Sequence, residues 1–175
     1  MRKIFLSLIT LISLSVSSQL VVNEYSAANY DSYQDNYNEY EDWLELYNSS
    51  AIAIDISGYY LSDKLNNPTK WQVPSSFIVP ANGVAVIFCS GRNEVSGGFA
   101  HTNFKITQTK GSEVFLLSDA AAVLLDSVSV RSNLKTHSRG REVNGSAIWS
   151  VFTNPTPNTA NAAALQEYAS TPIFS

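Results

Sequence analysis

The side chains best able to do chemistry crowd into one stretch, "NYDSYQDNYNEYEDW", residues 29–43. It holds Asp31, Asp35, Glu39, Glu41 and Asp42 and no cation. Oxygen-rich loops of this kind bind calcium, which takes about six to eight oxygen ligands. The EF-hand spacing is absent, and no glycine is present for its sharp turn. The competing reading is a solvated loop between two strands. Four tyrosines interleave with the acids: Tyr30, Tyr33, Tyr37 and Tyr40. Tyrosines on loops of sandwich domains are adaptable contact residues, and their rings also stack on sugars. The stretch is therefore expected to be the main contact surface, for a protein or glycan partner.

The other candidates are sparser. There are two histidines, His101 in "AHTNFKI" and His137 in "KTHSRGRE". A nucleophilic triad needs a base beside a nucleophile, held by a third group. The chain has no GxSxG and no HExxH, so no catalytic residue, metal ligand or cofactor site is assigned. His101 is expected to make a structural hydrogen bond before the strand-like "NFKI". Arg139 and Arg141, in "SRGRE", have Arg131 and Lys135 nearby. Arginine binds phosphate or carboxylate in bidentate fashion; the alternative is pairing with an internal acid such as Glu45 or Glu24. Cys89, the sole cysteine, lies in the apolar run "VAVIFCSG". It cannot form an internal disulfide and is expected to be buried. Trp43, Trp71 and Trp149 sit in strand-like runs and are expected to pack in or beside the core. Asn48-Ser49-Ser50 and Asn144-Gly145-Ser146 match the N-glycosylation acceptor pattern, which matters only in a host that glycosylates such sites.

The elements that must position these groups are strands. Short runs of β-branched and aromatic residues alternate with Gly, Pro, Asn and Ser clusters. Strands are expected over 20–25, 42–48, 52–55, 58–62, 69–73, 84–89, 113–118, 122–130 and 147–152. Turns are expected at Ser57-Gly58, at Asn82-Gly83 and in "SDAAAV". Pro155 and Pro157 in "NPTPN" should end the sheet, and the small-residue run after them reads as a linker. Period two in "DWLELYN" places Leu44 and Leu46 toward the core and Trp43, Glu45 and Tyr47 on the opposite face. In the first strand, Val21, Asn23 and Tyr25 oppose Val22 and Glu24. Taken strand by strand, no face carries two inward carboxylates.

Arg2, Lys3 and the apolar run "IFLSLITLISLSV" have the layout of a secretory signal peptide, expected to be removed after Ser18. No other run could span a membrane. Without Arg2 and Lys3, nine cations face 15 acids, a net charge of −6 against −4 for the whole chain. An acidic surface argues against nucleic acid as the main partner.

The ordered set "NEY", "EDWLELYN", "ISGYYLSD", "IVPANG", "HTNFK" and "PTPNTAN" resembles the lamin-tail domain in its bacterial secreted form. The match runs from about Val21 to Asn161. The resemblance implies an all-β, immunoglobulin-like β-sandwich over 19–161. It also implies a non-enzymatic module for binding, adhesion or spacing within a larger secreted or cell-surface protein. The glycine-arginine pair at Gly140-Arg141 recurs in such domains, which favours a structural role for Arg141. "YASTPIFS", from Tyr168 to Ser175, resembles the start of a chitobiase C-terminal-type module, so residues 162–175 are expected to be a linker or the beginning of a next unit in a truncated reading frame. Two other functions are carried: a carbohydrate-binding accessory module of a hydrolase, and a stand-alone enzyme.

Overall fold

The computed structural model describes residues 18–109, 113–165, 167 and 168. The expected leader lies outside the described residues except for Ser18, and the "YASTPIFS" segment does so except for Tyr168. Thirteen strands follow one another, and no α-helix occurs among the described residues. In chain order they are β1 (Leu20–Ser26), β2 (Trp43–Asn48), β3 (Ile54–Asp55), β4 (Tyr60–Ser62), β5 (Trp71–Gln72), β6 (Ile78–Val79), β7 (Gly83–Phe88), β8 (Glu94–Ser96), β9 (Phe99–His101), β10 (Val114–Ser118), β11 (Leu124–Ser129), β12 (Ser138–Arg141) and β13 (Trp149–Phe152). They form a seven-stranded sheet in the order β13-β12-β1-β2-β7-β9-β8 and a four-stranded sheet in the order β11-β10-β4-β5, with β3 and β6 as a separate pair.

The two large sheets enclose one core. Val22, Tyr25, Leu44, Leu46, Ala85 and Ile87 supply it from the first sheet, and Leu61, Trp71, Phe115 and Leu117 from the second. This is a β-sandwich of the immunoglobulin-like kind that the lamin-tail resemblance implies. Each of the nine expected strands is present. The expected turns form as well: Asp119 accepts from the backbone of Ala121 and Val123 at 2.9 Å each to close the β10–β11 hairpin.

Two expectations are corrected. The first concerns β1, where a bulge interrupts the register between Val22 and Glu24. The extra residue, Asn23, resets the alternation, so Val22 and Tyr25 both enter the core. Val22 pairs with Leu46, and Glu24 pairs with Glu45. The second follows from the first. Glu24 and Glu45 lie side by side across neighbouring strands, and both are fully buried. The outer face of β1 and β2 therefore carries two converging carboxylates, which no strand-by-strand count could reveal.

The cover over that face is the segment after β13. Thr156 donates its backbone N–H at 3.0 Å and its hydroxyl at 2.6 Å to Glu24. Asn158 donates its N–H to Glu45 at 2.7 Å. Asn23, from the bulge, donates to Glu45 and to Asn161, each at 3.0 Å. Ser138 adds a hydroxyl to Glu24. Opposite Glu24 stands Gly140, where a Cβ would meet Glu24 Cγ, Asn161 Nδ2 and the Phe152 ring, each at 3.0 Å. Only a bare backbone fits there. The Pro155–Asn161 stretch is thus a clamp, and its prolines leave the sheet as expected while its polar atoms satisfy the acids beneath.

Burial raises both carboxyls above their ordinary values, and Glu45 reaches about 8. Glu24 accepts three hydrogen bonds and Glu45 two. Glu45, the one with fewer donors, keeps its proton at neutral pH.

Candidate functional site

The acidic tyrosine stretch folds as a tied loop between β1 and β2. Asn29 fixes its base: its Oδ1 accepts from Ser32 and Tyr33, and its Nδ2 donates to the Tyr33 and Glu41 carbonyls at 2.6 and 2.8 Å. Asp42 accepts from the Asn29 N–H at 3.0 Å, and burial pushes its carboxyl up to about 6. Asp35 caps the inner turn by accepting from the N–H groups of Tyr37 and Glu39 at 2.8 and 2.9 Å.

The cations missing from the local sequence arrive from elsewhere in the fold. Arg92, between β7 and β8, pairs with Glu39, with Asp35 at 3.4 Å and with Glu41 at 3.6 Å. Its guanidinium also lies 4.5 Å from the centre of the Tyr37 ring. Lys105 pairs with Glu41 at 2.9 Å. Four of the five candidate calcium ligands are thus engaged by cations or backbone N–H groups. No group of three or more metal-ligating side chains occurs among the described residues.

The four tyrosines divide. Tyr30, Tyr37 and Tyr40 are 61, 45 and 43 % exposed. Tyr33 is not part of that surface, contrary to the sequence expectation. Its ring stacks on Phe88 at 5.7 Å and stands edge-on to Trp43. With Val86 and Phe99 these residues form a small second core on the outer face of the large sheet. Asn158 of the clamp donates to the Tyr33 hydroxyl, so loop and clamp brace each other at this residue. Tyr30 and Tyr40 flank a shallow groove of about 290 Å3, whose walls include Asn29, Asp42 and Lys105. Cys89 lies at its floor, fully buried, with its thiol pushed well up by burial.

His101 supports this loop from below. Its Nδ1 faces Ser90 Oγ at 2.9 Å and its Nε2 faces Asn36 Oδ1 at 2.8 Å. The trio has the outline of a nucleophile, base and orienter, but Ser90 is buried and its oxygen also accepts from the Arg92 N–H. Burial lowers the histidine's proton affinity. The arrangement is a strut between β7, β9 and the loop. His137 bonds instead to Tyr168, and the two histidines share no partner among the described residues.

The arginines lie on the far side of the large sheet's edge. Each pairs with an acid, but with Asp126 and Glu167 in place of the expected Glu45 or Glu24. Arg141 donates to the carbonyls of Val22 and Ser146 and to Asp126 at 2.9 Å, with its guanidinium over Trp149. Arg139 donates to the Ser132 carbonyl and grips Glu167 through two bonds of 2.8 and 3.0 Å. The sequence reasoning missed β12 itself, because "SRGR" has no apolar alternation. Its arginine stems and Trp149 supply the packing that hydrophobic side chains would otherwise provide.

No curated protein matches the chain. The lamin tail domain signature matches residues 14–132, and with the immunoglobulin-like sandwich described above this shows that the chain belongs to the lamin tail domain family.

Proposed function

We propose that this chain is a non-enzymatic, secreted or cell-surface module that binds a protein or glycan partner through the loop 29–42, as one unit of a larger extracellular protein. The observation that carries the reading is the state of that loop. Three exposed tyrosines stand on a backbone already fixed by Asn29, Asp35 and Arg92. Rigid aromatic side chains on an ordered loop bind at low conformational cost. Secretion and the leader rest on the sequence pattern of residues 1–18. The acidic net charge favours partners other than nucleic acid. The non-enzymatic reading rests on the family and on the burial of Ser90 beside His101.

A glycan partner is favoured by one feature, the groove between Tyr30 and Tyr40. Its walls set aromatic rings beside an amide and two carboxyls, groups that stack on sugar faces and bond to hydroxyls. The test is binding of the parent chain and of a Tyr30→Ser, Tyr37→Ser, Tyr40→Ser variant to a glycan array and to intact cells. The variant should melt within a few degrees of the parent and lose binding. Undiminished binding by a folded variant would sink the assignment of the loop.

A further inference from the structure

The segment after the clamp returns to the sheet and occupies a site built on its edge. β13 is an edge strand, and an edge strand presents unpaired backbone groups that template further pairing. Leu165 fills part of that row: Val151 N–H donates to the Leu165 carbonyl at 2.8 Å, and Leu165 N–H donates back at 2.7 Å. Glu167 then binds Arg139, whose own Nε is held by Ser132. Arg131 lies 3.6 Å from the same carboxylate. Tyr168 stacks on His137 with ring centres 5.9 Å apart, and its hydroxyl accepts from the Leu134 N–H at 2.9 Å. The site matches charge to charge and ring to ring.

The link that delivers this segment is short and strained. Asn161 is buried and anchored at three points: its side chain bonds to Asn23 and to the Arg141 carbonyl, and its N–H to Asn144. Only Ala162, Ala163 and Ala164 separate it from Leu165. Ala163 turns the chain back with φ +58°. That left-handed conformation crowds the Cβ of an L-residue and is adopted freely by glycine alone. Straightening the link removes the crowding, and it carries the segment away from its own sheet edge. A short hinge under strain, feeding contacts that any second copy can offer identically, favours exchange of the segment between copies.

We propose that Leu165, Glu167 and Tyr168 exchange between two copies of this chain, Leu165 pairing with β13 of the other copy and Glu167 and Tyr168 seating on the other's Arg139 and His137. Three extended residues reach about 10 Å, so the two β13 edges must lie side by side. The clamp over Glu24 and Glu45 stays within each copy. The tyrosine loops of the two copies are then presented as a pair, so a partner with repeated sites would be bound more tightly than by one copy.

The test is analytical ultracentrifugation of the full chain across two orders of magnitude in concentration, since exchange obeys mass action. Ala163→Pro forbids the positive φ and should raise the dimerisation constant about tenfold or more, whereas Ala163→Gly relieves the crowding and should lower it. Adding Glu167→Gln to Ala163→Pro should reduce dimerisation, because the Arg139 contact is weakened in the exchanged form. Donor- and acceptor-labelled copies of the Ala163→Pro chain should transfer energy on mixing. Either of two results overturns the proposal: an Ala163→Pro chain that stays monomeric over the whole range, or one whose dimer is unaffected by Glu167→Gln.

Discussion

Glu45 makes stability depend on pH in a direction opposite to that of an ion-paired acid. Its carboxyl, ordinarily near 4.5, is pushed up to about 8 by burial. Between those values the folded chain holds a proton that the unfolded chain has released. The stability it contributes is therefore fully present below about 4.5, declines through the interval and is lost as the pH rises through about 8. Glu45 is fully buried, so solvent does not dilute the effect. At about 1.4 kcal/mol per pH unit, the interval amounts to about 5 kcal/mol. For a domain of this size that corresponds to about 10–20 °C in melting temperature. Glu45→Gln removes the titration and keeps an acceptor for the Asn158 N–H. Asp42, raised to about 6, adds a slope of the same sign, and the lowered pKa of His101 adds one of opposite sign. The difference between variant and parent cancels both. Thermal melts of the two chains at half-unit steps from pH 4.5 to 9 should diverge, with the parent losing stability the faster. Parallel curves would refute a buried, protonated Glu45.

Other expectations follow from the same contacts. Arg141→Ala should cost about 2–3 kcal/mol in chemical denaturation, because Asp126 and the Val22 and Ser146 carbonyls lose their donor in a half-buried setting; a melt like the parent's would contradict this. Gly140→Ala should destabilise by about 1–3 kcal/mol, since its Cβ must displace Glu24, Asn161 or Phe152. Tyr33→Ser should lower the melting temperature, unlike serine at Tyr30, Tyr37 or Tyr40, because it empties the small core on Phe88 and Trp43. Millimolar calcium should leave the melting temperature unchanged, because Arg92 and Lys105 already neutralise the acids of the loop.

The strands built on apolar runs were legible because burial imposes alternation, as Leu44 and Leu46 in β2 show. β12 was hidden by its composition, and β6, β8 and β9 are two- or three-residue pairings cut short by Pro80, Gly97 and Gly98. The candidate site was legible as a place, the tyrosine loop, but not as a set of contacts. Arg92 and Lys105 approach Asp35 and Glu41 from 57 and 64 residues away, so a local count of charge suggested an unneutralised loop. Tyr33 is indistinguishable from Tyr37 in composition and differs only in what the register of β2 and β7 places beneath it. The paired glutamates needed both a bulge and a cross-strand register, and neither leaves a trace in the alternation of one strand.

The clamp also bears on the order in which the molecule is completed. Its bonds join Glu45 to Asn158, Glu24 to Thr156 and Asn23 to Asn161, across 113, 132 and 138 residues. Strands β1 and β2 can pair early in synthesis, but their two carboxyls then face water on an unfinished sheet. A ribosome adding about 5–20 residues per second delivers the covering segment many seconds later. Pairing over such separations is the slow kind. The first strand is thus sealed by the last part of the sandwich to emerge, and a nascent chain stays open to unfolding until about residue 161 has been made.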